Sequence, residues 1–353
     1  MSTASRIWTS VDFNKDGKQS DYLRLPFSSD TSAYGWLPIP LICIRNGSGP
    51  TILLTAGNHG DEYEGQIALI RLAQEIAPSE VHGRIVILPA LNYPAVAAGR
   101  RVSPIDEGNL NRLFPGRSDG SPTEMLAHYI NDVLFPMTDM VIDLHSGGRS
   151  LEYLPLALAR PGLTPTNQKA VKELLAVFGA PVSVLTDGDG GGGATTLYAA
   201  AEKRGIPALT TELGGGATLS PEGLKIAEDG IRRVLKHYGV VPNLEVNASA
   251  GSHLMRSLGR NSAIYSPENG LFEPLVNVGD TVEEGQAAGI VYFYDNPLRE
   301  PLRLYFPATG RVSCRRFPTL TARGDCLYNL MSGLEDAEAN QAIASHELRR
   351  TQP

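Results

Sequence analysis

Cysteine is scarce in this chain: Cys43, Cys314 and Cys326 are the only three among 353 residues. So few, so widely spaced, exclude both a disulfide framework and a cysteine-type zinc site. Long hydrophobic runs are missing as well. No stretch approaches the ~20 consecutive apolar residues of a membrane-spanning helix, and the opening "MSTASRIWTSVDFNKDGKQSDY" lacks the apolar core of a secretory signal. A cytoplasmic location is the expectation. Nor is there a basic excess. Thirty-one Lys and Arg face 38 Asp and Glu, a net charge of −7, which leaves no broad footprint for nucleic acid.

What is present is an ordinary globular composition, 42% hydrophobic and 20% charged. Short aliphatic runs end in glycine-rich polar turns: "TILLTAGNHG" (51–60), "GRIVILPALN" (83–92), "DMVIDLHSGG" (139–148), "PVSVLTDG" (181–188) and "IPALTTELGGG" (206–216). Continuous apolar strands of this kind suit a sheet covered on both faces. Helical patterns lie between them, at 63–77, 123–135, 166–179 and 221–239. The alternation predicts an α/β domain over residues 1–243, with functional loops at the strand carboxyl ends. From 244 to about 335 the chain turns strand-like and turn-rich, which predicts a small all-β, barrel-like domain. Residues 336–353 read as a charged tail.

The chemistry-bearing residues collect at those strand ends. A hydrolytic zinc site needs three His or carboxylate ligands and a position for water. His59 and Glu62 in "NHGDEYEG" stand three residues apart, a spacing that brings both side chains together on one helical turn. His145 in "DLHSGG" ends another strand and is the natural third ligand, with Asp143 placed to orient an imidazole. The remaining histidines, His82, His128, His237, His253 and His346, sit in no comparable strand-end motif and read as ordinary surface or satisfied residues. Glu212 in "TELGGG" is suited to moving a proton from water to a leaving amine. In "GRRVSPIDEGNLNRLFPG" (99–116), Asn111 and Arg112 can hold a carboxylate. Arg101, with Arg100 as a second choice, can steady a developing oxyanion.

In this order, "GNHGDEYEG", "NLNRLFPG", "DLHSGG" and "TELGGG" resemble the succinylglutamate desuccinylase/aspartoacylase family, a branch of the zinc carboxypeptidase group. The resemblance spans roughly residues 50–216. It implies a three-layer α/β fold with a mixed, mostly parallel central sheet and a small β-barrel-like domain behind it. It further implies one zinc ion held by His59, Glu62 and His145, with Glu212 as general base and then acid. Asn111 and Arg112 would bind the substrate α-carboxylate, and Arg101 would polarise the scissile carbonyl. One position departs from the family pattern: Asn109 stands where an aspartate is usual, which removes a negative charge beside Asn111 and Arg112. Members are often dimers or tetramers, so a homo-oligomer is expected.

In general character the segment "EPLVNVGDTVEEGQAAGIVYFYDNPLREP" is most similar to the branch of the family that deacetylates N-α-acetyl-2,4-diaminobutyrate in ectoine breakdown. The side-chain ammonium of such a small-molecule substrate calls for an acidic partner. Asp106 and Glu107 in "SPIDEGN", and Asp187 and Asp189 in "TDGDGGGG", are the candidates. Alternatives of the same chemistry are an aspartoacylase, a desuccinylase or a metallocarboxypeptidase. A non-catalytic carrier module is the alternative of another class, and "FPATGRVSC" offers no lysine for a carrier to modify.

Overall fold

Residues 4–186, 188 and 192–334 are described in the computed structural model. The outermost strands are β1 (Gly17–Pro26) and β2 (Trp36–Asn46), an antiparallel pair. Then come β3 (Thr51–Ala56), α1 (Glu64–Glu75), β4 (Gly83–Leu88), α2 (Tyr93–Ala98), α3 (Pro122–Tyr129) and β5 (Met140–Leu144). Two short strands, β6 (Leu151–Tyr153) and β7 (Leu156–Ala159), precede α4 (Pro165–Phe178), β8 (Val182–Leu185), α5 (Leu197–Lys203), β9 (Ala208–Glu212) and α6 (Pro221–His237). The aliphatic runs thus form strands and the periodic segments form helices. The hairpin β1–β2 and the short elements β6, β7, α2 and α5 carry too little pattern to be read beforehand.

The strand order is β1-β2-β4-β3-β5-β9-β7-β8. Neighbours β4–β3, β3–β5, β5–β9 and β7–β8 run parallel, while β1–β2, β2–β4 and β9–β7 run antiparallel. The sheet is therefore mixed, with a parallel centre. Every residue of β3 and β5 is buried, and alternate residues enter opposite cores. Ile52, Leu54 and Ile142 pack with α1, α4 and α6, whereas Leu53 and Val141 pack with α3, α5 and the β1–β2 hairpin. That is the three-layer arrangement, and each such side chain contributes about 1.5–3 kcal/mol by leaving water.

The C-terminal strands are β10 (His253–Ser257), β11 (Ile264–Tyr265), β12 (Gly270–Pro274), β13 (Thr281–Val282) and β14 (Ala287–Tyr292). They continue with β15 (Leu302–Tyr305), β16 (Gly310–Arg316), β17 (Leu320–Thr321) and β18 (Cys326–Gly333). A separate antiparallel sheet, ordered β15-β14-β12-β17, closes over a core that includes Phe272, Val291, Phe306 and Tyr328. The other C-terminal strands continue the large sheet. β10 pairs in parallel with β8 and antiparallel with β18, and β16 pairs with both β18 and β6. The hydrogen-bonded ladder therefore runs unbroken from the α/β layer into the C-terminal region.

The parallel centre places the carboxyl ends of β3, β5 and β9 side by side, so the turns that follow them meet. The first turn is packed without slack. A Cβ added to Gly60 would lie 2.0 Å from the Ala95 carbonyl oxygen, and one added to Gly65 would lie 2.4 Å from Leu144 Cβ. Gly60→Ala is expected to lower the denaturation midpoint by the equivalent of about 1–3 kcal/mol. A denaturant titration showing an unchanged midpoint would contradict this packing.

Candidate functional site

The turn after β3 carries His59 and Glu62, and the end of β5 carries His145. All three are buried, and one donor atom from each lies within 4.8 Å of the others. Among the described residues this is the one His/Cys/Asp/Glu group of that kind. The Glu62 carboxylate bridges the two imidazoles, with Oε1 2.7 Å from His59 Nδ1 and Oε2 2.8 Å from His145 Nδ1. The Ser146 backbone N–H also donates to Oε2, at 3.2 Å.

The opposite ring nitrogens are held from behind. His145 Nε2 lies 2.9 Å from Asp143 Oδ2, and His59 Nε2 lies 3.1 Å from Asn109 Oδ1. Asp143, Asn109 and Glu62 all offer acceptors; a cation bound among the rings takes the Nδ1 positions and leaves the ring protons on Nε2, where Asp143 and Asn109 accept them. Asp143 is itself fixed by the Thr55 hydroxyl at 2.7 Å and the Asn58 amide at 3.3 Å. The His145 backbone N–H donates to Thr211 of β9, tying the second strand end to the third.

The electrostatics favour a cation between these rings. Burial lowers the pKa of His59, with Arg101 acting in the same direction, so the ring is available as a neutral donor. Burial alone would lower His145 too, but the Asp143 and Glu62 carboxylates outweigh it and hold that ring well above its ordinary value. Glu62 is held well below the carboxylate range by the two imidazoles, against the effect of its own burial. Carboxylates that favour an imidazolium at one point favour any cation there, and binding of a metal releases the competing proton. Two imidazoles and one carboxylate are also the donor set of hydrolytic zinc sites. The residues therefore fit a metal ion.

Asp61 lies outside the donor group, and its Oδ1 has no hydrogen-bond partner among the described residues. Its Oδ2 accepts the Arg149 backbone N–H at 2.9 Å, fixing the loop after β5. The position of Asn109 was the less foreseeable one. The missing aspartate charge falls behind a ligand imidazole, rather than on Arg112, so an amide orients one ring and a carboxylate the other.

A cavity of about 340 Å³ opens in front of this group. Glu212, at the end of β9, lines it. Its Oε2 is shut off from water and has no hydrogen-bond partner among the described residues. Burial and the nearby Glu62 raise this carboxyl well above the usual range, which suits a group that must both take and return a proton. Arg101 also lines the cavity, its Nη1 3.3 Å from His59 Nδ1 and 3.6 Å from Glu62 Oε1. Arg100 instead pairs with Glu107 at 3.0 Å and stays outside.

Asn111 is buried in the same wall, where its Oδ1 accepts the Leu197 N–H at 2.9 Å. Arg112 donates to the Asn111 carbonyl at 2.8 Å and has no carboxylate partner among the described residues. Burial, reinforced by Arg101, lowers its pKa, so an anion placed beside it would be stabilised.

Two acidic expectations do not survive. Asp106 spends its carboxylate on the Thr123 backbone N–H and hydroxyl and on the Gly108 N–H. Glu107 is taken up by Arg100. Neither lines the cavity, because the "SPIDEGN" loop folds back on α3 instead of over the site. Asp187 and Asp189 lie outside the described residues, as do His346 and the C-terminal tail.

The far wall comes from β6 and from C-terminal strands, to which the sequence assigned no site residue. Tyr153, Cys314 and Asn329 stand directly opposite one another on β6, β16 and β18, and so do Ser257 and Met331 on β10 and β18. Directly opposed residues share a face. Tyr153, Ser257, Ser313, Asn329 and Met331 all line the cavity, and none carries a formal charge. The one available signal was an asparagine set inside the apolar strand "CLYNLMSG".

The group predicts distinct metal behaviour for two changes. His145→Ala is expected to abolish stoichiometric metal binding. Asn109→Ala, which removes the hydrogen bond behind His59, is expected to weaken it by about 10–100-fold, and Asn109→Asp to tighten it. Competition titration with a chromophoric chelator reads all three; full occupancy in His145→Ala would contradict the donor group.

Known proteins share this architecture. Residues 48–238 match the family model of the succinylglutamate desuccinylase/aspartoacylase catalytic domain. The N-alpha-acetyl-L-2,4-diaminobutyric acid deacetylase of Halomonas elongata is 42% identical over 326 residues, covering 92% of this chain and 94% of that protein. A succinylglutamate desuccinylase/aspartoacylase from Rhodobacter sphaeroides superposes with a TM-score of 0.88 at 38% identity, over 93% of this chain and all of the other. The product-bound ectoine utilization protein EutE (DoeB) of Ruegeria pomeroyi gives 0.87 at 38% identity, over 94% and 99%. With its motif blocks assembled at the ends of three adjacent strands, the chain belongs to the succinylglutamate desuccinylase/aspartoacylase family.

Proposed function

We propose that this protein is a zinc-dependent deacetylase that hydrolyses N-α-acetyl-L-2,4-diaminobutyrate to L-2,4-diaminobutyrate and acetate, a step of ectoine breakdown. The observation that carries the reading is the pairing of two features in one cavity. A buried His59–Glu62–His145 donor group lines it, and so does Glu212, whose Oε2 has no hydrogen-bond partner among the described residues. The substrate is taken from the 42% identical Halomonas relative and from the ectoine utilization protein of similar structure.

In this reading one zinc ion per subunit is held by His59, Glu62 and His145. When bound, it supplies Lewis-acid polarisation of the acyl oxygen and acidifies water. The Glu212 carboxylate takes the proton of the attacking water and then returns it to the amine nitrogen as the carbon–nitrogen bond breaks. Arg101 places its guanidinium against the oxygen that becomes negative. Asn111 and Arg112 hold the α-carboxylate, which supplies the anion that desolvated Arg112 lacks. The uncharged wall of Ser257, Ser313 and Asn329 meets the rest of the substrate. Residues 1–243 form the catalytic domain and residues 244–335 the β domain that completes its cavity. The protein works in the cytoplasm as a homo-oligomer.

The test is a deacylation panel of N-α-acetyl-diaminobutyrate, N-acetylaspartate and N-succinylglutamate, with and without a chelator. The diaminobutyrate derivative is expected to give the highest kcat/KM, with loss of activity on metal removal and recovery with zinc. Preference for either acidic substrate would move the assignment to an aspartoacylase or a desuccinylase. Glu212→Gln is expected to keep its zinc and lose ~10²–10⁴-fold in kcat. Turnover near that of the wild type in the folded, metal-loaded variant would remove Glu212 from the chemistry.

A further inference from the structure

Two residues past Glu62 stands a second glutamate that the chemistry above does not use. Glu64 opens helix α1, and its side chain is completely buried. Its Oε2 has no hydrogen-bond partner among the described residues. A helix start favours an acid, but it does not require that acid to leave water. Burying a carboxyl group with one oxygen unpartnered costs free energy that an apolar side chain of similar volume avoids. The position therefore calls for a reason other than packing. Its Oε1 accepts the Ser220 backbone N–H at 2.8 Å. Ser220 in turn caps α6, its hydroxyl accepting the Gly223 N–H at 3.0 Å.

Ser220 closes the turn that begins after Glu212. Leu213 N–H of that turn donates to the His145 carbonyl at 3.1 Å, and the Gly214 carbonyl accepts from the Gly147 and Tyr153 N–H groups, each at 3.0 Å. Those bonds tie the turn to the residues that follow β5. Glu64 supplies a tie to α1, and the turn is pressed against it. Gly214 has φ +145°, and a Cβ there would lie 2.9 Å from Ser220 Cβ and 3.3 Å from Glu64 Oε1. We propose that Glu64 is a positioning residue: through Ser220 it holds the turn after Glu212 against the turn that carries His59 and Glu62. Glu212 Oε2 has no hydrogen-bond partner among the described residues, so the backbone around it has to set where the carboxyl stands. A group that moves a proton tolerates little displacement, and a shift of about 1 Å can cost ~10²-fold in rate. The consequence for turnover rests on the proposed function; the link between the two turns does not.

The test compares Glu64→Leu with Glu64→Gln in the full-length, zinc-loaded protein. Leucine fills the space without an acceptor, whereas glutamine keeps an oxygen for the Ser220 N–H. Glu64→Leu is expected to melt near the wild type and to bind zinc as tightly, yet to lose ~10–100-fold in kcat with KM nearly unchanged. Glu64→Gln is expected to keep a kcat close to that of the wild type. A merely structural role would move stability and turnover together. Glu64→Ala, which removes the acceptor without a branched side chain, is read alongside. Hydrogen exchange followed by mass spectrometry reads the link without any substrate: Glu64→Leu is expected to exchange faster over residues 213–220 and unchanged over 57–62. Wild-type kcat in the folded Glu64→Leu would overturn the proposal, as would unchanged exchange over 213–220 or a glutamine variant as slow as the leucine one. Zinc affinity that falls in step with kcat would place the effect on the donor group and overturn it too. So would the failure of both apolar variants to fold, which would make Glu64 purely structural. A wild type inactive on acylated amino acids would sink the proposed function, while the exchange comparison still decides whether Glu64 holds the turn.

Discussion

One carboxylate held between two imidazoles organises this molecule's functional half. Glu62 is buried, negative and in contact with both His59 and His145, and a charge in that position is tolerable only if every neighbouring group is placed for it. Three things place them: the side-by-side ends of β3, β5 and β9, the Asp143 carboxylate behind one ring, and the Asn109 amide behind the other. The tight glycines of the first turn belong to the same constraint, because a side chain at Gly60 would collide with backbone.

The sheet's topology follows from what that site needs. Parallel neighbours bring equivalent ends together, so residues about 85 and 65 positions apart meet without any long loop. Where the sheet turns antiparallel, at β9–β7, it brings Leu156 opposite Glu212 and opens the cavity between the two layers. The continued ladder through β10, β18 and β16 then lends the cavity its uncharged wall. The α/β layer and the later β region are thus joined by backbone hydrogen bonds rather than by a flexible linker, which fixes the distance between the His59–Glu62–His145 group and the wall.

The charge distribution within the cavity is uneven. The His59–Glu62–His145 group, Arg101 and Arg112 gather on one side, and hydroxyl, amide and thioether groups occupy the other. An anion placed on the first side would meet two guanidinium groups. A charge placed on the second side would meet dipoles alone and would have to keep its own hydration or find hydroxyl and amide partners.

Much of this was legible beforehand. Continuous apolar runs predicted β3, β4, β5, β8 and β9, because strands covered on both faces leave few positions for polar side chains. Periodicity predicted α1, α3, α4 and α6. The strand-end motifs singled out His59, Glu62, His145 and Glu212, since polar and titratable residues after buried strands have no packing role to explain them. By itself the sequence singled out the candidate donors and Glu212 and pointed to the family. Only the tertiary structure decided that Asn109 stands behind His59, that Asp106 and Glu107 face away, and that Tyr153, Ser257, Ser313 and Asn329 close the cavity. Those outcomes depend on which strands are neighbours and on which way a loop folds back. Pairing between segments more than a hundred residues apart leaves no periodic trace in either segment.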